Sequence, residues 1–346
     1  MENQRILKVR GFLRRHGFDA FLITSLANIR YLSGFTGGDC YILLTKTENI
    51  FIGDFRYTLQ AEKELDKSFR IEMIKNGLSS LLKEFISGKK LHSLCFEDKH
   101  ITVSFFNRIK KSLPKIHLIP TSNVIEKQRI IKTDKEIALI SKAVDITKQA
   151  LNKLKPFIKP GITEIWIKNK LDYLLKSFGG QQPSFDIIVA SGPNGAMPHA
   201  GTTTRQIQKN EPIIVDVGTV FEGYKSDLTR TFFSGKMTQY AHYYKLIAAA
   251  QKKAISLIRP SVKIRDIDLA ARNYLKRNKV DKYFGHALGH GVGLEVHEEP
   301  RIYWKNSQRL KPGMVFTVEP GIYIPEWGGI RIEDMVLVTK KGCKVL

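Results

Sequence analysis

Residues 211–233 read EPIIVDVGTVFEGYKSDLTRTFF, and this stretch predicts a β-hairpin with its turn near Phe221–Gly223. Asp216 and Asp227 lie inside the two strand-like runs, which normally exclude aspartate. Opposed residues of a hairpin with an even-length loop differ by an odd number of positions, and these two are eleven apart. Both carboxylates are therefore expected on one face of the sheet. Like charges placed so closely repel each other unless they share a cation or a proton.

A second pair of acidic residues lies in apolar strands near the C-terminus. MVFTVEPGIYIP is interrupted by Glu319 and GGIRIEDMVLV by Glu333. Their separation of fourteen is even, so a simple even loop would put them on opposite faces. Because Pro320 cannot donate to a ladder and Gly321 is a natural bulge site, we expect an odd loop or a bulge that turns both glutamates inward.

Three of the nine histidines fall within a dozen positions of one glycine-rich segment, GHALGHGVGLEVHEEP, residues 285–300. They are His286, His290 and His297. Glycines on both sides of His290 let the backbone pack closely there. Four carboxylates in apolar strands together with imidazoles suit Mn²⁺, Co²⁺, Fe²⁺ or Zn²⁺ better than a thiolate-preferring ion. The pattern predicts a metal site.

The domain organisation follows from a change of pattern near Asn123. The preceding segments alternate as strands and helices, which predicts an α/β domain with a mixed or parallel sheet. Afterwards Thr133 and Glu136 form a capping-box pair that opens a long helix, and Thr163 can cap a second one. We expect an α/β (α+β) two-domain chain, with domains 1–125 and 126–346. Two helices precede each hairpin of the second domain, so a duplicated unit is a further hypothesis.

Composition bounds the cellular setting. The 346 residues carry a formal charge of +23, but the lysines are spread along the chain without an aromatic-interleaved basic repeat, so neither nucleic acid nor membrane is predicted as a partner. The first residues are charged and lack an apolar stretch, which predicts no signal peptide. The three scattered cysteines fit a reducing compartment. We therefore expect a cytoplasmic protein.

Five motifs in order resemble one metallopeptidase family: IVDVG, SDLTRT, GHGVGLEVHEEP, TVEPGIY and GGIRIED. The family comprises Xaa-Pro dipeptidases (prolidases), aminopeptidase P and methionine aminopeptidase, and its catalytic fold is the pita-bread fold. NIRYLSGFTG and DFRYTLQAE look like the creatinase/prolidase-type N-terminal domain, which methionine aminopeptidases lack. The resemblance implies a dinuclear metal-dependent hydrolase that cleaves short proline-containing peptides and forms a homodimer.

The resemblance also implies roles for individual residues. Two divalent ions, Mn²⁺ or Co²⁺ first and Zn²⁺ or Fe²⁺ as alternatives, would be held by Asp216, Asp227, His290, Glu319 and Glu333. Glu319 would also act as the base, and the catalytic and substrate-facing histidines would be His199 (in MPHAG), His286 and His297. Arg331 is expected to orient a ligand carboxylate beside the substrate site.

The substrate length stays open at this point. An Xaa-Pro dipeptidase must bind the free C-terminal carboxylate of its substrate, and arginine is suited to that role. Arg301, in HEEPRI, occupies the place of such a residue and slightly favours the dipeptidase. The alternative is aminopeptidase P, which releases the N-terminal residue of longer peptides. A more remote alternative is an inactive binding scaffold, which would require loss of the metal ligands.

Overall fold

The computed structural model describes residues 3–236 and 240–346. The chain forms two compact units, a first that ends at Arg129 and a second, Ile130–Leu346. The boundary expected at Ile125 therefore lies four residues before the observed division. Within the described residues, none of the helices is both long enough and apolar enough to cross a bilayer.

The first unit is a mixed sheet with helices. Its helices are α1 (Gln4–His16), α2 (Leu26–Ser33), α3 (Thr58–Glu64), α4 (Leu78–Lys89), α5 (Val103–Ser112) and α6 (Glu126–Arg129). Its strands are β1 (Ala20–Ile23), β2 (Tyr41–Thr45), β3 (Asn49–Gly53), β4 (Phe69–Met73), β5 (Ser93–Glu97) and β6 (His117–Thr121). The sheet order is β4-β3-β2-β1-β5-β6, with β1, β2 and β3 antiparallel and the other neighbours parallel. The expected mixed α/β sheet is confirmed.

The second unit contains four longer helices: α7 (Asp134–Leu154), α8 (Glu164–Ser177), α9 (Ala241–Ser256) and α10 (Ile264–Arg277). The capping box of Thr133 and Glu136 is present at the start of α7, and the Thr163 hydroxyl caps α8. Short 3₁₀ turns cover Lys155–Phe157, Gly192–Ala196 and Asp281–Tyr283, and another, Phe55–Tyr57, lies in the first unit. Both helix starts were therefore predicted correctly.

The strands of the second unit are β7 (Ile188–Ser191), β8 (Pro212–Val217), β9 (Val220–Phe221), β10 (Tyr224–Lys225), β11 (Leu228–Phe233), β12 (Gly289–Gly291), β13 (Glu298–Ile302), β14 (Val315–Val318), β15 (Gly321–Ile324), β16 (Gly328–Arg331), β17 (Asp334–Val338) and β18 (Cys343–Val345). They form sheets of order β11-β8-β7 and β13-β12-β14-β17-β18, and the pairs β9-β10 and β15-β16. Apolar side chains of α9 and α10, among them Ile247 and Ile267, pack in one core with Phe316 and Ile330 of the strands.

The order of elements repeats within this unit. A helix pair, a flanking strand and a hairpin occur in this order twice: α7, α8, β7 and the β8–β11 hairpin, then α9, α10, β12 and the β14–β17 hairpin, with the additional strand β13 after β12. In each copy the flanking strand pairs antiparallel with the first strand of its hairpin. This topology supports the hypothesis of a duplicated unit.

Candidate metal centre

The first hairpin places two aspartates on one face. Asp216 pairs with Thr229, and the β9–β10 pair continues the same register to a two-residue turn, Glu222-Gly223. Both turn residues have positive φ, 44° and 79°, as a type I′ turn requires. Asp227 stands two positions before Thr229 and is therefore a diagonal neighbour of Asp216 on the same face. The even loop and shared face predicted from the sequence are confirmed.

The second hairpin brings the two glutamates together by an odd loop. Three residues, Pro325–Trp327, join the paired ends Ile324 and Gly328. Both the β14–β17 and the β15–β16 pairs follow one common register, which puts Glu319 opposite Glu333 without a bulge. Of the two expected solutions, the odd loop is the one that the chain adopts.

Backbone hydrogen bonds to neighbouring segments position the part of this hairpin that contains Glu319 and Glu333. The Glu319 N–H donates to the Leu288 carbonyl oxygen at 2.8 Å, and the Glu333 N–H donates to the Thr229 carbonyl oxygen at 3.1 Å. The second bond joins the two hairpins directly. The four carboxylates therefore meet because the hairpins are hydrogen-bonded to one another.

His290 enters the same centre from β12. Its Nε2 lies 3.5 Å from Asp227 Oδ2 and 3.5 Å from Glu319 Oε1. One ligand atom each from Asp227, His290 and Glu333 lies within 4.8 Å of the others. Ligand bonds of about 2.1 Å at a tetrahedral angle place two ligand atoms roughly 3.4 Å apart. These distances fit donors arranged around a cation.

Close backbone packing positions the His290 ring. A Cβ on Gly289 would lie 2.0 Å from the Thr317 carbonyl oxygen, and one on Gly291 would lie 2.3 Å from the Glu299 carbonyl oxygen. Only glycine allows strands to approach so closely. The His290 Nδ1 lies 3.1 Å from the Gly291 carbonyl oxygen, which can only accept, so Nδ1 carries the hydrogen in this contact. Nε2 is then free to offer its lone pair to the carboxylate centre.

The electrostatics of the centre are those of crowded anions. Burial, followed by the charges of the neighbouring carboxylates, raises the pKa of both Asp227 and Glu333 well above their ordinary values. Burial is also the main reason that the pKa of Glu319 rises to about 8. Burial and the nearby His297 lower the pKa of His290 to about 4, which favours the neutral ring. A bound cation would stabilise the ionised form of these closely spaced carboxylates.

The residues present fit a divalent metal. Asp216 Oδ1 is buried and, among the described residues, has no hydrogen-bond partner. Such an orphan oxygen is costly unless something absent from the protein itself satisfies it. The donors are carboxylate oxygens and one imidazole, which suit Mn²⁺, Co²⁺, Fe²⁺ or Zn²⁺. The structure thus brings together all five residues predicted as metal ligands.

Arg331 stabilises this centre through hydrogen bonds. Its guanidinium donates to Asp216 Oδ2 at 2.5 Å, Thr229 Oγ1 at 3.0 Å, the Pro198 carbonyl oxygen at 3.0 Å and Tyr323 Oη at 2.8 Å. Thr229 in turn donates its hydroxyl hydrogen to Glu333 Oε2 at 2.7 Å. Most of the donors of Arg331 are therefore directed at the protein, which favours the role of orienting Asp216 over direct contact with substrate.

Tyr323 is a site residue that the sequence reasoning missed. Its hydroxyl oxygen lies 3.0 Å from His286 Nε2 and accepts from Arg331, so it joins that histidine to the bracing arginine. Burial raises the pKa of Tyr323 to about 12, and burial lowers the pKa of His286 to about 4. A signal was present: counting in steps of two from Glu319 along the strand reaches Gly321 and then Tyr323 on the same face.

The other two predicted histidines lie at the rim. His199 and His297 are exposed. The His297 ring centroid is 4.2 Å from that of His290, and the pKa of His297 is lowered first by partial desolvation of its ring and then by the charge of His199. The charge of His199 also acts on the pKa of His286. The three histidines predicted to face the substrate are thus near neighbours beside the metal centre.

Arg301 is exposed on β13. Its guanidinium lies over the Tyr303 ring, 5.1 Å from the centroid. The side chains of Glu299 and Arg301 are exposed, whereas Pro300 and Ile302 are buried.

Comparisons with known proteins agree with this geometry. Residues 138–340 match the model of metallopeptidase family M24, and residues 5–131 match the creatinase/prolidase N-terminal domain. A curated Xaa-Pro dipeptidase from Pyrococcus horikoshii is 35% identical, covering 99% of this chain and 97% of the relative.

Solved structures extend the likeness to the fold. An Xaa-Pro dipeptidase from Bacillus anthracis has a TM-score of 0.95 at 35% identity, covering 99% of this chain and 96% of the other. An X-Pro aminopeptidase from Thermotoga maritima has a TM-score of 0.88 at 33% identity, covering 96% of each. The expected two-domain architecture with a pita-bread catalytic fold is confirmed. This chain is a member of metallopeptidase family M24 with a creatinase/prolidase-type N-terminal domain.

Proposed function

We propose that this metallopeptidase hydrolyses the bond before proline in short peptides, with Xaa-Pro dipeptides as its first substrates. The observation that carries the proposal is the buried set of four carboxylates and His290, with three histidines at its rim and Arg301 exposed beyond them. The Xaa-Pro dipeptidase from Pyrococcus horikoshii, at 35% identity over almost the whole chain, supports the choice of substrate.

The metal ligands we propose are the five residues of the centre. Asp216 would hold one ion, His290 and Glu319 the other, and Asp227 and Glu333 both. The ions we propose are Mn²⁺ or Co²⁺, with Zn²⁺ or Fe²⁺ as alternatives. When bound, such a pair lowers the pKa of water and polarises a carbonyl group.

The remaining chemistry belongs to the side chains. Glu319, held by the Thr317 hydroxyl at 3.2 Å, takes the proton of the attacking water and passes it to the leaving nitrogen of proline. His199 and His297 donate hydrogen bonds to the substrate from the rim, and His286 acts near the scissile bond. Arg331 keeps Asp216 in place throughout. Arg301 pairs with the C-terminal carboxylate of a dipeptide.

Aminopeptidase activity is the second candidate. The structural neighbour from Thermotoga maritima, named an X-Pro aminopeptidase, also covers almost the whole chain, 96% at 33% identity. The deciding experiment measures hydrolysis of an Xaa-Pro dipeptide and of an Xaa-Pro-Yaa tripeptide, each with and without Mn²⁺ or Co²⁺. We expect higher kcat/KM for the dipeptide, and a preference for the tripeptide would favour the aminopeptidase. If neither peptide is hydrolysed in a metal-dependent manner, the remaining candidate is the inactive binding scaffold.

We also propose a homodimer in a reducing cytoplasm. Phe55 and Leu59 of the first unit expose 80% and 73% of their surface four positions apart, an apolar patch suited to a second copy. Cys40 and Cys95 are buried free thiols, which fits a reducing compartment. The mass in solution of the wild type and of Phe55→Asp tests the dimer, and a wild-type monomer would contradict it.

A further inference from the structure

The loop of residues 192–203, here called the His199 loop, carries His199 between the end of β7 and the approach to β8. Apart from the 3₁₀ turn Gly192–Ala196 it has no regular structure, and Met197 and His199 are exposed. Regular hydrogen bonding therefore does not determine where the His199 ring lies. Other contacts must hold the loop in position.

One buried carboxylate holds both ends of this loop. Glu164, the first residue of α8, is 0% exposed. Its Oε1 accepts from the Ser191 N–H at 2.7 Å, the Ser191 hydroxyl at 2.7 Å and Asn194 Nδ2 at 3.2 Å. Its Oε2 accepts from the Thr203 N–H at 3.0 Å and the Thr203 hydroxyl at 2.6 Å. Ser191 immediately precedes the loop, Asn194 lies near its start and Thr203 is its last residue, so Glu164 joins the two ends.

Capping of α8 does not require an acid at this position. The Thr163 hydroxyl already caps α8 by accepting from the Trp166 N–H, and none of the bonds of the Glu164 side chain described above goes to its own helix. The corresponding first residue of α10, in the repeated helix pair, is Ile264, which is also 0% exposed. Burying a carboxylate is expensive unless every oxygen is satisfied. The repeated unit places an apolar residue here, whereas the buried carboxylate of Glu164 is matched to the donors of Ser191, Asn194 and Thr203.

The middle of the loop is anchored to the metal centre. The Pro198 carbonyl oxygen accepts from Arg331 at 3.0 Å, and Arg331 also binds Asp216. The backbone of Gly195 lies so close to β16 that a Cβ on Gly329 would come 2.0 Å from the Gly195 carbonyl oxygen. His199 is the next residue after Pro198. Besides the bonds at Glu164 and the anchor at Arg331, the Thr202 hydroxyl accepts from the Val189 N–H at 3.0 Å and donates to the Ile187 carbonyl oxygen at 3.1 Å, so these contacts together determine the place of the loop.

We propose that Glu164 is a positioning residue that holds His199 against the substrate. This inference rests on the proposed function, in which His199 contacts the peptide. Glu164 touches neither the metal ligands nor the substrate and acts through the loop. Misplacing a catalytic group by about 1 Å can reduce the rate on the order of a hundredfold, so a clamp of this kind matters for turnover.

The test is the Glu164→Gln variant. The amide keeps the shape but offers one acceptor oxygen in place of two, and its NH₂ group faces donors. Amide hydrogen exchange of residues 195–202 should become at least about tenfold faster, while the metal content matches the wild type. We expect kcat/KM to fall about 10- to 100-fold.

A double-mutant cycle separates positioning from general destabilisation. If Glu164 acts through His199, the Glu164→Gln/His199→Ala protein is no more than about twofold slower than His199→Ala alone. A multiplicative loss would overturn the proposal. Glu136→Gln is the matched control, since Glu136 is a buried carboxylate at the start of α7 that closes the capping box there. It should leave exchange at 195–202 unchanged and show no coupling with His199→Ala.

A second variant and separate measurements of exchange and turnover cover the case in which Glu164→Gln does not fold. If Glu164→Gln does not fold, Thr203→Val removes one donor at 2.6 Å and should change exchange and turnover in the same direction by a smaller factor. Unchanged exchange in a folded variant overturns the clamp. If the wild type does not cleave Xaa-Pro peptides but exchange still accelerates in Glu164→Gln, the proposed function fails while the hold of Glu164 on the loop is supported.

Discussion

Three carboxylates of the metal centre are each held by one neighbour. Arg331 binds Asp216, the Thr229 hydroxyl binds Glu333 and the Thr317 hydroxyl binds Glu319. Each bond uses one oxygen and fixes the rotamer of its acid. Residues that hydrogen-bond to metal ligands in this way influence the geometry of a metal site and its affinity for the metal.

Glu319→Gln should abolish most turnover without disturbing the fold. An amide cannot take the proton of the attacking water, so we expect kcat to fall by roughly 10²- to 10⁴-fold. Because burial raises the pKa of Glu319 to about 8, its carboxyl is largely neutral near pH 7 without metal, so replacing it by a neutral amide should leave the metal-free variant no easier to unfold than metal-free wild type. Steady-state kinetics and thermal unfolding check this. Glu326→Gln, the same change at an exposed position of the same hairpin, is the control. Retention of wild-type kcat in Glu319→Gln would exclude Glu319 as the base.

Arg301→Ala tests the substrate length at a single residue. Losing a charged hydrogen bond to the terminal carboxylate should reduce kcat/KM for an Xaa-Pro dipeptide by on the order of 30- to 1000-fold, or ~2–4 kcal/mol. Longer peptides carry that carboxylate elsewhere and should lose much less. Lys305→Ala, an exposed cation four positions along, serves as the control. Equal losses on a dipeptide and a tripeptide would assign Arg301 a structural role.

At the scale of elements, strand contacts through glycine decide where His290 lies. β12 is only three residues long, yet it pairs with both β13 and β14. Side chains at Gly289 and Gly291 would overlap the backbones of these neighbours. The glycines of this segment are therefore needed for packing rather than for flexibility.

Gly289→Ala should disturb both stability and metal binding. Its Cβ would lie 2.0 Å from the Thr317 carbonyl oxygen, so β12 and β14 must separate. Overpacking of this kind costs about 1–3 kcal/mol of the free energy of unfolding, and the shift of His290 should reduce metal occupancy. Denaturant unfolding and metal analysis measure the two effects. Gly285→Ala is the matched control, because nothing lies within 4 Å of a Cβ there. Equal behaviour of the two variants would refute the packing argument.

At the scale of the whole molecule, we expect cations at the centre of the second unit to stabilise it. The two hairpins meet through four carboxylates, and burial raises the pKa of Asp227, Glu319 and Glu333. Bound ions would offset this repulsion and stabilise the folded state, because they bind the native protein preferentially.

Removal of metal by a chelator should therefore abolish turnover and lower Tm. Returning Mn²⁺ or Co²⁺ should restore both, with two ions per chain at saturation. Activity assays, thermal unfolding and elemental analysis of dialysed protein provide the measurements. Full activity in metal-free protein would refute a metal-dependent mechanism.

Local sequence determined much of this molecule. The parity of strand positions placed Asp216 and Asp227 on one face, and the same counting called for either an odd loop or a bulge between Glu319 and Glu333, of which the chain adopts the odd loop. Capping residues located the starts of α7 and α8. These features could be predicted because strand alternation, turn length and helix capping depend on residues only a few positions apart.

The tertiary structure alone decided which side chains support the centre. Arg331 reaches Asp216 across 115 positions, and Tyr323 joins His286 to that arginine across 37. Glu164 looks in the sequence like an ordinary acid of a first helical turn, yet its partners Ser191 and Thr203 lie 27 and 39 positions away. No local pattern specifies such pairs, because a buried polar group finds its partners only once separate elements have packed against one another.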